Sequence, residues 1–127
     1  MAQRTVLIID DESLIRQTTS LLLNHFQMRT ICASNGPEGI AMAKNASPDI
    51  ILLDLFMPVM DGWSVLAELK KDAKVSYIPV ILLTGNSYSI PTEIAFKKGV
   101  AAVCNKPFEP EKLTTLIEKV CSNTGLS

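Results

Sequence analysis

The sequence predicts an α/β fold in which five parallel strands are each followed by a helix. Five short runs rich in Val, Ile and Leu recur at roughly regular intervals, and they lie at Val6–Ile9, Thr30–Ala33, Ile50–Leu53, Val80–Leu83 and Val100–Cys104. All but the second run are continuously apolar, which is typical of a parallel strand that helices cover on both faces. Each run is followed by a segment with the apolar spacing of a helix. We therefore expect five β-α units.

The helices are predicted from this spacing and from their end signals. The first runs from Leu14 to His25, with Asp11 and Ser13 before it as possible caps. The others lie at Pro37–Asn45, Trp63–Asp72, Thr92–Lys98 (ended by Gly99) and Glu111–Cys121. Short connections favour right-handed crossovers and a doubly wound (βα)5 sheet with the flavodoxin-like strand order 2-1-3-4-5. Residues 1–127 are expected to form a single domain.

Composition argues against several functional classes. The net charge is -1, without a cluster of Lys and Arg, so direct contact with nucleic acid is not expected. No apolar run approaches the roughly 18 residues that span a bilayer, and the N-terminus lacks a secretory pattern, so we expect no membrane segment and a cytoplasmic location. Three widely spaced cysteines and one histidine support neither a disulfide framework nor a zinc site.

Polar side chains follow four of the five predicted strands, where function gathers in open α/β sheets. In chain order they are Asp10, Asp11, Asp54, Thr84, Asn105 and Lys106. Any one of them alone is typical of a turn or surface position. As a set they are harder to dismiss, because strands one and three are neighbours in the expected order. Three carboxylates are therefore expected to meet at one point, with a hydroxyl and an ammonium beside them.

Such a carboxylate cluster requires protonation or a cation. Two carboxylates about 5 Å apart repel by about 3 kcal/mol at an effective dielectric of about 20. An all-oxygen site without histidine or cysteine suits a hard ion, so Mg²⁺ (or Mn²⁺) is the expected cofactor.

An aspartate in this setting can act as a nucleophile toward a phosphoryl group. Asp54 is the best placed to do so. Lys106 and Thr84 would each hold a phosphoryl oxygen, and Asp10 would act largely through water or the metal shell.

Four motifs together resemble the response regulator receiver domain of two-component signal transduction, in particular the chemotaxis regulators. They are Asp10-Asp11-Glu12, the segment from Asp54 to Gly62, Leu83-Thr84-Gly85 and Lys106-Pro107-Phe108. The resemblance spans the whole chain, and it is the joint match at separated sites that makes it specific.

The resemblance implies a set of roles. Asp54 is the residue that a histidine kinase or phosphotransfer protein phosphorylates, and the metal ligands are Asp10, Asp11, Asp54 and the backbone carbonyl of Phe56. A downstream protein is expected at the face formed by the fourth helix, the fifth strand and the fifth helix. The bond between Lys106 and Pro107 is expected to be cis.

The chain departs from the family pattern at Val103, where many relatives place a tyrosine or phenylalanine that swings inward on activation. Since valine has little reach, signalling is expected to run instead through the segment Gly85–Thr92 and the fourth helix. Glycine at position 85, often alanine in relatives, leaves more room for phosphoryl access. The positions of Phe56 and Asn86 tune the lifetime of the acyl phosphate in the family.

Two other functions stay open at the level of sequence. The chain could be a degenerate receiver that only binds proteins, although its acidic set is complete. It could also be a metal-dependent phosphohydrolase, but Phe56 stands where such an enzyme would carry a second acid. We expect a phosphoacceptor rather than an enzyme, either as a stand-alone regulator or as part of a longer chain, with no output domain among these residues.

Overall fold

Ten secondary-structure elements alternate between strand and helix in the computed structural model, which describes residues 3–85, 91–106 and 108–122. The strands are β1 (Thr5–Ile9), β2 (Arg29–Ala33), β3 (Ile50–Asp54), β4 (Val80–Thr84) and β5 (Ala102–Asn105). The helices are α1 (Ser13–His25), α2 (Gly36–Ala46), α3 (Gly62–Lys71), α4 (Thr92–Lys97) and α5 (Pro110–Ser122). The predicted (βα)5 order is confirmed.

The five strands form one parallel sheet with the order β2-β1-β3-β4-β5. This is the predicted doubly wound topology, in which the strand order reverses between β1 and β3. The pairing of β4 with β5 places the ends of these two strands level with each other, because Thr84 lies opposite Asn105. The carboxyl ends of the strands therefore share one edge of the sheet.

Two apolar cores lie on opposite faces of the sheet, as the continuously apolar strands require. Odd-numbered residues of β1 and β3, such as Leu7 and Leu53, pack with α2, α3 and α4. Even-numbered residues of the same strands, such as Ile8 and Leu52, pack with α1 and α5. Because side chains alternate along a strand, a shift of one residue would exchange the two cores. The register that aligns the polar strand ends is fixed in this way.

The predicted start of the fifth strand and the predicted capping of the first helix are wrong. The fifth strand begins at Ala102 rather than Val100, because the backbone N–H of Val100 donates to the carbonyl of Ala95 at the end of α4. The first helix has Glu12 at its N-cap without a side-chain cap, so the predicted capping by Asp11 and Ser13 is wrong. The bond of Val100 is a local one, to a residue five positions earlier, and it closes the end of α4 instead of starting a strand.

Some expectations concern residues outside the described part of the chain. They are the roles of Asn86 and of most of the segment Gly85–Thr92, and the geometry of the Lys106–Pro107 bond.

The loop from β3 to α3 turns back tightly beside the end of the strand. The backbone N–H of Gly62 donates to the carbonyl of Leu55 at 2.8 Å. A Cβ atom at position 62 would lie 2.6 Å from the backbone oxygen of Asp54 and 2.8 Å from the Cα of Leu55. Backbone atoms cannot move aside as a flexible side chain can. Only glycine allows α3 to start this close to Asp54.

Replacing Gly62 with alanine is therefore expected to lower the free energy of unfolding by about 1–3 kcal/mol, because the added methyl group overlaps backbone atoms. Urea denaturation measures this change. Gly85→Ala is the matched control, since nothing lies within 4 Å of a Cβ built at that position. Equal stability of the two variants would show that the loop tolerates a side chain at position 62.

Candidate functional site

The edge formed by the strand ends brings the three predicted acidic residues together. One carboxylate oxygen each from Asp10, Asp11 and Asp54 lies within 4.8 Å of the others. Asp10 is 0% exposed and Asp54 is 5% exposed, whereas Asp11 is exposed. Two of the three carboxylates are therefore largely shielded from the water that would otherwise weaken their repulsion.

Lys106 places a positive charge against two of these carboxylates. Its Nζ donates to Asp10 Oδ2 at 2.8 Å and to Asp54 Oδ1 at 3.3 Å. The lysine side chain is mostly buried, and its own backbone N–H donates to the carbonyl of Thr84 at 2.7 Å. The backbone of Lys106 is thus held by the end of β4, and its side-chain ammonium is held by two carboxylates.

One ammonium does not neutralise three carboxylates. Burial, followed by the negative charge of Asp10, raises the pKa of Asp54 to about 6. The charge and hydrogen bond of Lys106 oppose this rise without cancelling it. Burial works against the charged form of Lys106 too, but its bonds to the two carboxylates outweigh that effect and its pKa is raised. The site therefore has an excess of negative charge in its ionised form.

Asp10 is also bound on its other side. Its Oδ1 accepts the backbone N–H of Glu12 at 2.9 Å, and Arg16 Nη1 donates to its backbone carbonyl at 2.8 Å. Sequence reasoning gave Arg16 no role. In this structure Asp10 contacts the Lys106 ammonium directly, whereas the sequence suggested action mainly through water or a metal shell.

Thr84 is fully buried, and its hydroxyl has a partner that the sequence reasoning missed. Thr84 Oγ1 donates to the side-chain Oδ1 of Asn105 at 2.7 Å. The sequence placed Asn105 at the end of the fifth strand but gave it no function. The signal that could have revealed the contact is the register, since the last residues of two neighbouring parallel strands lie side by side.

Phe56 lies at the rim of the site. A backbone hydrogen bond from Phe56 stabilises the Asp54 carboxylate, and the Phe56 side chain is 50% exposed. Val59 is fully exposed in the same loop, with a φ of 72° that valine rarely adopts. The position of Phe56 next to Asp54 is compatible with its carbonyl serving as a metal ligand, and that role stays a prediction.

The donor set fits a hard divalent ion. It consists of carboxylate oxygens without histidine or cysteine, and Mg²⁺ and Mn²⁺ prefer oxygen ligands of this kind. The excess negative charge described above provides the electrostatic attraction. Asp10, Asp11 and Asp54 are the residues that would hold the ion.

Comparison with known proteins identifies the family. Residues 6–118 match the response regulator receiver domain family. The chain is a response regulator receiver domain. It is 30% identical over 115 residues to the protein PilH of Pseudomonas aeruginosa, a match that covers 91% of this chain and 95% of PilH. The crystallised chemotaxis protein CheY4 of Vibrio cholerae shares 29% identity with a TM-score of 0.85, covering 94% of this chain and 99% of CheY4.

Some relatives of this receiver domain are much longer. The chain is 33% identical over 120 residues to the probable transcriptional regulator ycf27 of Porphyridium aerugineum, which covers 94% of this chain and 49% of ycf27. The receiver domain thus spans about half the length of such relatives. Among the described residues, no helix is long and apolar enough to cross a membrane.

The raised pKa of Asp54 predicts an unusual pH dependence of stability when divalent ions are removed. The pKa is about 6 in the folded receiver domain, whereas an aspartate in an unfolded chain has a pKa of about 3.9. The folded state therefore binds the proton more readily, and the contribution of Asp54 to the free energy of unfolding becomes more favourable as the pH falls through about 6.

Urea denaturation with a chelator at several pH values tests this prediction. At a pH of about 8, Asp54→Asn is expected to be more stable than the wild type by about 1–3 kcal/mol, and the difference should shrink toward a pH of about 4. A constant difference at all pH values would contradict the raised pKa.

Proposed function

We propose that this receiver domain accepts a phosphoryl group on Asp54 from a histidine kinase or phosphotransfer protein, and that the acyl phosphate changes binding of a downstream protein. The observation that supports this best is the placement of the Lys106 ammonium, 2.8 Å from Asp10 and 3.3 Å from Asp54. A lysine bonded to both buried carboxylates is positioned to follow negative charge as it appears on Asp54. An ordinary surface ion pair would not need either acid to be buried.

The transfer step forms one bond and breaks one. A carboxylate oxygen of ionised Asp54 attacks the phosphorus of a phosphohistidine, the phosphorus–nitrogen bond breaks, and the electron pair returns to the imidazole of the donor. Charge spreads over the three equatorial phosphoryl oxygens during transfer. The Lys106 ammonium can neutralise one of them by exchanging its bond to Asp54 for a bond to phosphate.

Asp10, Asp11 and Asp54 would hold an ion that completes the neutralisation. Mg²⁺ or Mn²⁺ bound by Asp10, Asp11, Asp54 and the Phe56 carbonyl would supply the positive charge that one lysine cannot provide. The chain itself holds the acids at fixed positions, because Asp10 is tied to the backbone of Glu12 and Asp54 to that of Phe56. The Thr84 hydroxyl is the proposed donor to a further phosphoryl oxygen.

A downstream protein is proposed to dock on α4, β5 and α5. Ile94 and Phe96 are 47% and 52% exposed, so α4 presents apolar surface to solvent. The α4 helix contacts β5, whose last residue is bonded to Thr84. The hydrogen bond between Asn105 and Thr84 therefore connects this face to the acidic site. A cytoplasmic location and a single domain over residues 1–127 stay predictions.

The alternative functions have less support. A degenerate receiver would have no need for a complete acidic set with a lysine bonded to two of its members. A phosphohydrolase that turns over phosphate esters would need a second acid near position 56, where the half-exposed Phe56 lies instead. We therefore infer phosphoryl acceptance, with loss of the phosphoryl group by hydrolysis, rather than turnover of external substrates.

Intact-mass spectrometry after incubation with acetyl phosphate and Mg²⁺ tests phosphoryl acceptance. The wild type is expected to gain one phosphoryl group, and Asp54→Asn is expected to gain none because an amide is not a nucleophile toward phosphorus. Asp61→Asn is the matched control. It removes an exposed carboxylate from the same loop, and asparagine can still cap α3 as Asp61 does. A full mass gain in Asp54→Asn would place the modification elsewhere.

Lys106→Met is expected to separate metal binding from phosphoryl transfer. Mg²⁺ should bind at least as tightly as in the wild type, because a competing cation has been removed from Asp10 and Asp54. The rate of phosphorylation by acetyl phosphate at saturating Mg²⁺ should fall about 100-fold or more, because a charged partner of the transferred group is missing. Fluorescence or calorimetric Mg²⁺ titration and mass spectrometry provide the two readouts. Equal rates in the two proteins would exclude the proposed role of Lys106.

A further inference from the structure

The hydrogen bond between Thr84 and Asn105 lies between the acidic site and the surface. Thr84 is fully buried, and Asn105 is exposed at the end of β5. Thr84 Oγ1 donates to Asn105 Oδ1 at 2.7 Å. Because Asn105 directly precedes Lys106, this bond links the hydroxyl proposed to bind phosphate with the residue next to the one that carries the ammonium.

A threonine hydroxyl has one proton to donate. Phosphoryl oxygens only accept hydrogen bonds, so Thr84 cannot serve Asn105 and a phosphoryl oxygen with full strength at the same time. The side-chain oxygen of Asn105 and the phosphoryl group therefore compete for one proton. Which of them holds it depends on whether Asp54 is phosphorylated.

The backbone does not need to move for this exchange. The backbone N–H of Lys106 donates to the Thr84 carbonyl at 2.7 Å, and Thr84 pairs with Asn105 in the ladder between β4 and β5. These contacts hold the strands together whichever partner the hydroxyl takes. Rotation of the Thr84 hydroxyl and release of the Asn105 amide are sufficient.

We propose that Asn105 is a positioning residue. Its side-chain oxygen accepts the hydrogen bond of the Thr84 hydroxyl in the unphosphorylated protein and loses that hydrogen bond to the phosphoryl group when Asp54 is phosphorylated. This inference rests on the proposed function. In this role Asn105 opposes phosphoryl binding before transfer, and its freed side chain reports the phosphorylated state on the exposed end of β5.

The position of Asn105 explains how such a signal can leave the site without an aromatic ring at position 103. Val103 packs against the core on the α4 side of the sheet. Side chains two residues apart on a strand share a face, so Asn105 lies on the same side as Val103 but nearer the site. The Asn105 side chain is hydrogen-bonded directly to Thr84, so it loses a partner when the Thr84 hydroxyl turns to the phosphoryl group. The side chain of valine has no hydrogen-bonding group.

Binding of beryllofluoride with Mg²⁺, a stable mimic of the phosphoryl group, tests the competition. Asn105→Ala is expected to bind beryllofluoride about threefold to tenfold more tightly than the wild type, the range expected from losing one competing neutral hydrogen bond. The tightening should disappear in a Thr84→Val background, which lacks the contested proton. Asn45→Ala, at an exposed position of α2, is the matched control and should not change the affinity.

A spectroscopic readout separates positioning from a general structural effect. The side-chain amide resonances of Asn105 should shift when beryllofluoride and Mg²⁺ are added to the wild type. In Thr84→Val, with no ligand, they should already lie near the shifted position because the bond to Asn105 is absent. The free energy of unfolding of Asn105→Ala, measured in parallel, verifies that the variant is folded.

The two levels of the proposal fail in different ways. Unchanged or weaker binding in Asn105→Ala, with a normal wild-type response, would overturn the role of Asn105 alone. Tightening that persists in the Thr84→Val background would do the same. If the wild type itself shows no response to beryllofluoride and Mg²⁺, the phosphoacceptor function is overturned and the role of Asn105 with it.

Discussion

The ion pair between Lys106 and the buried carboxylates is the constraint around which the rest of the molecule is organised. Burying Asp10 and Asp54 is unfavourable, and one ammonium compensates only part of the charge. The two apolar cores provide the stability that this arrangement lacks, because both faces of β1 and β3 are covered. The fold thus holds acids at a spacing that they would not adopt in a free chain. The uncompensated negative charge favours binding of a divalent cation.

Much of this could be predicted from the sequence, since the informative patterns are local. Continuously apolar runs revealed the strands, and the known geometry of parallel sheets converted their polar ends into one cluster. The acids Asp10, Asp11 and Asp54 could be assembled in this way because topology alone decides which strand ends are neighbours. Their chemical roles were inferred from residue type and from the family resemblance, and those roles stay predictions.

The features that escaped prediction depend on contacts between distant segments. The predicted strand ends place Thr84 beside Asn105, but their bond also requires the rotamers of the two side chains, which a single sequence does not show. Direct contact between Lys106 and Asp10 likewise depends on side-chain reach. Sequence patterns identify the polar side chains of the site, but the three-dimensional structure decides which of them are hydrogen-bonded to each other.

The contact between Lys106 and Asp10 joins residues 96 positions apart. During synthesis the N-terminal acid leaves the ribosome long before the lysine, so the nascent chain carries an unbalanced acidic edge until the fifth strand has emerged and docked. A fragment that ends before β5 would keep the nucleophile but lack its counter-charge. The site is therefore complete only when β5, the last of the five strands in chain order, has paired with β4.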